Sequence, residues 1–324
     1  MRDGKQQTGS SIRSRPVNGV PRRLCAAAVT IVLVLALLVP VAPEANEPVT
    51  PALWEVWMPG AAAPYLYLFG SIHFGSAALY PLNRPVERAF ASAGTLVVEL
   101  APTPAGATAA ARAVQRFAVL APDAPLQTQI PASLWKRVQA QATQLPWLEN
   151  ALTRYRPWFV ATLLTKVAME QLGLTERYGV DRYFLTRANG KAVIALETLE
   201  QQAAILADLS PIDASRFLDD AVSALENDGG YLSALVTAWR TGNAATLHQL
   251  IHTALDTNGL SATTRNKLFA DRNRGMVERL GQLKATPGGH PYFVVVGAGH
   301  MLGPTGLVNG MRAAGRAVHR VSHH

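Results

Sequence analysis

Two histidines follow apolar segments of the chain at the same spacing. In 65-YLYLFGSIH-73 and in 292-YFVVVGAGH-300 a tyrosine precedes a mostly apolar run, which ends in Gly-x-x-His. A glycine at a strand end lets the chain turn tightly out of the sheet, so that the imidazole can point back over the strand. One such histidine is more often structural, but two at matching positions favour a site that His73 and His300 share.

Two glutamates lie at the ends of further apolar runs. Glu99 interrupts 95-TLVVEL-100, and Glu197 closes 192-AVIALE-197. Because burying a carboxylate without a partner is costly in free energy, each must be exposed at a strand end, paired with a cation or bound to a metal ion. The residues alone leave a structural and a functional role open for both.

Two imidazoles and one or two carboxylates, with no thiolate, are typical of a hydrolytic site for a divalent metal ion. Such a site uses about three protein ligands and leaves one position for a water molecule, whose pKa the ion lowers. A remaining carboxylate could act as general base. Arg272, in 271-DRNRGMVERL-280, could neutralise an oxyanion or could lie on a solvated helix face.

Other chemistry is weakly indicated. His248 and His252 are spaced to share one helix face, but TLHQLIHTAL lacks the glutamate of an HExxH zinc site. The only cysteine, Cys25, lies in the N-terminal segment, so the rest of the chain has neither a cysteine nucleophile nor a thiolate ligand. No nucleophile elbow, P-loop or dinucleotide fingerprint occurs in a convincing context.

The elements that must position these residues alternate between strands and helices. Besides the four apolar runs, 316-RAVHRV-321 is a fifth candidate strand. The stretches between them have helical patterns, with helices predicted at 85–93, at 131–172 including one that begins at Pro157, and at 200–285 with Ser210, Ser261 and Thr264 as caps. This predicts an α/β fold with a mostly parallel central sheet and helical insertions or a helical cap. Ligands bind such sheets beyond the carboxyl ends of the strands.

The N-terminus has the composition of an export signal. Six cations precede or flank 24-LCAAAVTIVLVLALLVPVA-42, which has 19 residues without a charge. This run is also long enough to span a bilayer. We therefore expect residues 1–45 to be an export signal or a membrane anchor, residues 46–324 to be the α/β domain, and the protein to be periplasmic or attached to the inner membrane facing the periplasm.

Net charge disfavours a nucleic-acid partner. Residues 1–45 carry six cations and two acids, so the net charge falls from +8 for the whole chain to +4 for the remainder. The remaining cations are spread along the chain rather than gathered in a block with aromatic residues.

Three stretches together resemble the TraB/GumN family. They are 65–100, 179-GVDRYFLTRANGKAVIALETLEQQ-202 and 272–321, the last containing YFVVVGAGHMLGPTGLVNG. The family includes bacterial envelope proteins, pheromone-shutdown proteins and the animal TIKI proteases that act on Wnt ligands. The resemblance implies a fold similar to that of erythromycin esterase and the haem-binding ChaN proteins. It also implies two Gly-x-x-His motifs, matched by His73 and His300, and an essential glutamate, matched by Glu99.

The animal branch of the family suggests metal-dependent peptide hydrolysis. We therefore expect an exported hydrolase of peptides or proteins, in which His73, Glu99 and His300 hold a divalent ion (manganese, cobalt, zinc or iron). Glu197 would be the base or would orient a ligand, and Arg272 would stabilise an anion. The alternatives are an envelope protein that binds a peptide or a metal–ligand complex without chemistry, and an accessory factor in exopolysaccharide production.

Overall fold

A six-stranded mixed sheet runs through the protein, whose computed structural model describes residues 49–101, 106–227, 230–257, 259–284 and 289–322. These residues belong to one structural unit, Pro48–His324. The predicted export or anchor segment, residues 1–45, lies outside them. Among the residues that are described, no helix is both long enough and apolar enough to cross a membrane.

The sheet confirms the predicted α/β class and its mostly parallel strands. Its order is β4-β3-β5-β2-β1-β6, in which β4, β3, β5 and β2 are parallel and β1 is antiparallel to both of its neighbours. The strands are β1 (Leu53–Trp57), β2 (Leu66–Ser71), β3 (Thr95–Val98), β4 (Ala192–Ala195), β5 (Tyr292–Gly297) and β6 (Ala317–Arg320). All five predicted runs form strands. β1 was not predicted, because LWEVW is short and carries Glu55 in its centre.

Helices cover both faces of the sheet and fill the insertions between strands. They are α1 (Arg84–Ser92), α2 (Gly106–Phe117), α3 (Leu126–Gln129), α4 (Ala132–Ala142), α5 (Pro146–Arg154), α6 (Pro157–Gln171), α7 (Val180–Thr186), α8 (Leu199–Ala207), α9 (Pro211–Glu226), α10 (Gly230–Arg240), α11 (Ala244–Thr257), α12 (Ala262–Arg265), α13 (Asp271–Gly281) and α14 (Leu307–Ala313). Short 3₁₀ turns occupy Ala77–Leu79, Glu176–Tyr178 and Ala298–His300, and a π-helical turn occupies Asn266–Ala270.

The two faces of the sheet have separate cores. Val98 and Val295 pack on one face with Phe184 of α7. Val97 and Val294, their neighbours along the same strands, pack on the other face with α13 and α14. Because successive side chains of a strand point to opposite faces, and because both faces are covered, the central strands are apolar at nearly every position.

The helical insertions have their own hydrophobic cluster, built from α3–α6 and α9. As predicted, α6 begins at Pro157 and the side chain of Ser210 caps α9. The Ser261 side chain caps α12, as predicted, but the prediction for Thr264 was wrong. Thr264 lies inside α12, and its hydroxyl donates to buried Asp213 of α9, which also accepts from Ser261.

Candidate functional site

Four polar side chains lie just beyond the carboxyl ends of the four parallel strands. His73 follows β2 by two residues, and Glu99 follows β3 directly. Glu197 follows β4 by two residues, and His300 follows β5 by three. Since β4, β3, β5 and β2 are neighbours in the sheet, these side chains gather at one edge of it.

The two histidines and Glu99 surround one point above Gly297. A Cβ atom built on this glycine would lie 3.3 Å from Glu99 Oε2, 3.6 Å from His300 Cδ2 and 3.9 Å from His73 Nε2. The two Gly-x-x-His strands are direct neighbours whose register is offset by one residue, so that Ser71 pairs with Gly297. The residues are therefore close in space, as the paired motifs predicted.

Arg272, the second residue of α13, joins the two carboxylates. Its Nε donates to both oxygens of Glu197, at 2.9 and 3.1 Å, and its Nη2 donates to Glu197 Oε2 at 2.6 Å and to Glu99 Oε1. The exposed fractions of the Arg272, Glu99 and Glu197 side chains are 14, 9 and 11%. Arg272 therefore does not lie on a solvated helix face, and Glu99 is accommodated by pairing with a cation.

Two further donors complete this cluster. Nε2 of Gln202 donates to Glu99 Oε1 at 2.7 Å and to Glu197 Oε2 at 2.9 Å. The backbone N–H of Gly297 donates to Glu99 Oε2 at 3.1 Å. Burial by itself would raise the pKa of Glu99, but the charges of His300, Arg272 and His73 and this N–H together lower it to about 2. Glu99 is thus a carboxylate at neutral pH.

His73 is oriented by Asp181 at the start of α7. The Nδ1 atom of His73 lies 2.9 Å from Asp181 Oδ2, and Ser71 Oγ donates to Asp181 Oδ1 at 2.7 Å. A carboxylate in the first turn of a helix is stabilised by the helix dipole. The hydrogen bond that His73 donates to Asp181, together with the charge of this carboxylate, raises the pKa of His73 to about 9.

A close backbone approach at Gly179 places α7 against His73. A Cβ atom at Gly179 would lie 2.2 Å from the carbonyl oxygen of His73, which requires a residue without a side chain. The N–H of Val180 donates to the carbonyl of Ile72 at 2.9 Å. Gly179 therefore fixes the distance between Asp181 and the imidazole that it orients.

His300 is held by Asn273, the residue after Arg272. Asn273 Nδ2 donates to the carbonyl of Thr305 at 2.9 Å, so its Oδ1 faces His300 Nδ1, 2.6 Å away. His300 Nδ1 must then carry the hydrogen, and its Nε2 keeps a free lone pair. Burial lowers the pKa of His300 to about 4, so this imidazole is neutral at pH 7.

The segment before α13 is a π-helical turn, Asn266–Ala270. Such turns occur mostly as single insertions within α-helices and often at functional sites. The backbone is helical on both sides of it, from α12 into α13. Arg272 and Asn273 lie in the first turn of α13, just after this π-helical turn. Arg272 contacts Glu99 and Glu197, whereas Asn273 contacts His300.

A cavity of about 880 Å³ opens beside His73. Asp181 and Glu197 also line it, together with mostly apolar residues from the ends of β3 and β4, α2 and α7. His73 has 64% of its side-chain surface accessible, because it faces this cavity. Its Nε2 is therefore accessible to a small molecule or to a peptide.

All five predicted site residues meet at this edge of the sheet. His248 and His252 lie on α11 with their ring centres 4.1 Å apart, and Phe269 stands between His252 and His300. They are beside the site rather than at the strand ends. The residues that the sequence-based site left out are Asp181, Gln202 and Asn273, each of which orients one of its members.

The donor types at this edge of the sheet suit a divalent metal ion. Each histidine has Nδ1 engaged, which leaves Nε2 as the coordinating atom, as in many metal sites. Glu99 Oε2 accepts one N–H and keeps further capacity. Across the described ranges, no group of three or more His, Cys, Asp or Glu residues is already arranged at metal-binding distances.

Comparisons with known proteins identify relatives over most of the chain. The model of the TraB/PrgY/gumN family matches residues 52–320. The uncharacterized protein YbaP of Escherichia coli strain K12 is 27% identical over 269 residues, which cover 82% of this chain and 94% of YbaP. YbaP of Shigella flexneri matches with the same identity and coverage. No solved structure gives a significant match.

Proposed function

Because the chain belongs to the TraB/PrgY/gumN family, we propose that it is an exported, metal-dependent hydrolase of peptide bonds. The observation that carries this proposal is the position of His73 Nε2, His300 and Glu99 Oε2 around one point above Gly297. Two imidazoles and a carboxylate are a common ligand set of hydrolytic metal sites. A large cavity adjoins this point and gives a substrate access.

His73, His300 and Glu99 are the residues that would hold the ion. When bound, a divalent ion supplies a Lewis acid and lowers the pKa of a water molecule toward neutrality. Asp181 and Asn273 engage Nδ1 of the two histidines and so fix the ring orientations, with Nε2 directed to the ion. Because the pKa of His73 is about 9, its Nε2 would lose a proton when the ion binds. Burial keeps His300 neutral, which is the form that binds a metal.

Glu197 is the proposed general base. Its Oε2 accepts from both Arg272 and Gln202, whereas Oε1 accepts only from Arg272 Nε and retains a lone pair. Glu197 also lines the cavity beside His73, where a substrate would enter. A carboxylate held in this way can accept a proton at Oε1 without leaving its place.

Arg272 is the proposed anion-stabilising residue. Its charge helps to lower the pKa of Glu99, and its ion pairs with Glu99 and Glu197 place it beside the point at which the ligands meet. A preorganised cation in a site that excludes water stabilises developing negative charge more strongly than the same cation would in water. Its hydrogen bonds to two carboxylates hold it rigidly in this position.

Two parts of the proposal rest on the sequence. Residues 1–45 would direct export and leave the protein in the periplasm or anchored in the inner membrane. The fold likeness to erythromycin esterase and the ChaN proteins is the second part, and it rests on the family resemblance of the sequence.

Binding without catalysis is the second candidate. Arg272 and Gln202 already satisfy the two carboxylates, which is also what a closed, purely structural cluster would show. In this case the cavity beside His73 would capture a peptide or a metal–ligand complex, and an exopolysaccharide assembly role would be compatible with it. Peptide capture would then be unaffected by a chelator, and no turnover would occur.

Metal content of the full chain, purified in detergent, tests the proposal. The wild type, His73→Ala and His300→Ala would each be reconstituted with manganese, cobalt, zinc or iron, and His319→Ala on β6 serves as the control histidine. We expect about one ion per chain in the wild type and the control, loss in both site variants, and metal-dependent cleavage of a peptide mixture. Failure of all four metals to bind would refute the proposal and favour the binding protein.

A further inference from the structure

A second cavity, of about 690 Å³, lies between α8 and α13. Residues at positions i, i+3, i+4 and i+7 line it on both sides, and residues at this spacing share one helix face. They are Gln201, Ala204 and Ile205 of α8 with Asp208 directly after its end, and Arg272, Gly275, Met276 and Arg279 of α13. The cavity is therefore a groove between two helix faces, and Arg272 of the site is at one end of its α13 side.

The groove and the cavity beside His73 lie on opposite faces of the sheet. Met276 and Leu196 of the groove belong to the core that contains Val97. Helix α7, which lines the other cavity, packs against the face that contains Val98. Glu197 lines both cavities. The proposed base therefore stands between two spaces that a ligand can enter.

Arg279 is the cation of the groove that remains available to a ligand. Arg272 is paired with Glu99 and Glu197, and Lys267 is paired with Asp208. Within the described part of the chain, the structure shows no ion pair for Arg279, which is exposed at the far end of α13. The apolar surface of Ile205 and Met276 lies between it and the site.

The length of the groove defines where a ligand would meet Arg279. Arg272 and Arg279 are seven residues apart on one helix, which is about 10 Å along its axis. An extended peptide advances about 3.3 Å per residue. A peptide lying along the groove from the site would therefore bring its third residue to Arg279.

We propose that this groove binds one side of an extended peptide, and that Arg279 selects a carboxylate side chain at about the third residue from the cleaved bond. The cavity beside His73 takes the other side of the peptide. The enzyme then cleaves internal bonds, since both sides of the bond have a binding space. This inference rests on the hydrolase function proposed above.

Two glycines of α13 provide a matched pair of variants. A Cβ atom at Gly275 or at Gly281 would have no atom within 4 Å, so a side chain can leave the backbone at either position without meeting the protein. Gly275 lines the groove, whereas Gly281 ends the helix outside it. Replacing glycine inside a helix also favours the helical conformation, so Gly275→Leu fills the groove without threatening the fold.

The experiment is cleavage-site profiling of a peptide library by the metal-loaded full chain, with products identified by mass spectrometry. We expect internal cleavage and enrichment of Asp or Glu three residues from the bond on one side. Gly275→Leu should lower kcat/KM for such peptides about tenfold or more, while Gly281→Leu should not. Arg279→Glu should lower kcat/KM for an acidic peptide relative to its glutamine counterpart at least about fivefold, while Lys136→Glu, on the distant α4, should not. Cleavage without this acidic preference, or a preference that survives Arg279→Glu, would overturn the inference.

Absence of hydrolysis would refute the proposed function but would leave the groove testable. Binding of fluorescein-labelled peptides, acidic or with glutamine at the same position, would then be measured by anisotropy. Tighter binding of the acidic peptide that is lost in both Arg279→Glu and Gly275→Leu supports the groove. Equal binding of the two peptides overturns it.

Discussion

Replacing Arg272 by Met should destabilise the protein more than any other single change of a cation on α13. The guanidinium makes four hydrogen bonds to two carboxylates and one, at 3.2 Å, to the carbonyl of Leu268. All three side chains are largely buried. Methionine fills similar space but leaves Glu99 and Glu197 as adjacent, uncompensated charges.

The expected magnitude follows from the burial of these charges. Removing one partner of a buried ion pair typically costs about 3–5 kcal/mol of unfolding free energy, because the remaining charge has lost its compensation. For a domain of this size, that corresponds to a fall in Tm on the order of 10 °C. Adding Glu197→Gln should restore part of the loss, since one of the two uncompensated charges is removed.

The assay is thermal and urea unfolding followed by circular dichroism, in the presence of a chelator. Arg274→Met is the control on the same helix, since its pair with Asp271 is mostly exposed and should contribute at most about 1 kcal/mol. Equal destabilisation by Arg272→Met and Arg274→Met would refute the argument. A further fall in stability on adding Glu197→Gln would refute it as well.

Three other predictions concern the partners of the site and the helical insertion. Asp181→Ala should weaken metal binding about 10- to 100-fold by releasing the ring of His73, as measured by metal titration with a competing chelator; unchanged affinity would contradict this role. Gly179→Ala should lower both activity and Tm, because its methyl group meets the His73 carbonyl, whereas Gly230→Ala, with open space around its Cβ, should change neither. Asp213→Asn should destabilise the protein by about 1–3 kcal/mol at pH 7, since the hydroxyl groups of Ser261 and Thr264 donate to this buried carboxylate. Although burial would raise the pKa of Asp213, these hydrogen bonds lower it from 3.8 to about 2. The stabilisation by Asp213 is therefore complete above about pH 5 and is lost as the pH falls toward 2, so urea unfolding should show the difference from wild type shrinking over that range; a constant difference would contradict it.

The strands and the place of the site could be predicted from local patterns. Apolar runs bounded by glycine identified β2 and β5. Because these strands are parallel neighbours, the histidines that follow them, His73 and His300, lie at the same edge of the sheet. β1 was not predicted, because its five residues, with a glutamate at the centre, show little of the alternating apolar pattern of a strand. The pairing of β1 between β2 and β6 is fixed by contacts that are distant along the chain.

The chemical state of each histidine could not be predicted in this way. The same Gly-x-x-His string gives an imidazole with a pKa near 9 at position 73 and one near 4 at position 300. The difference comes from Asp181 and from burial, and Asp181 lies 108 residues from its partner. Asn273 likewise reaches His300 only through the packing of α13. The spacing of residues within a short motif gives no information on contacts with residues so distant along the chain.

The number of residues in the π-helical turn Asn266–Ala270 determines the directions in which Arg272 and Asn273 point. Each residue of an α-helix advances about 100° around the axis. Loss of one residue from this turn would rotate one flank of the helix against the other by about that angle, and Arg272 could no longer face Glu197 while Asn273 faced His300. Substitutions within the turn that keep its length would preserve both directions. A homologue with one residue fewer here would still have every site residue in its sequence, but its helix would orient the counterparts of Arg272 and Asn273 differently.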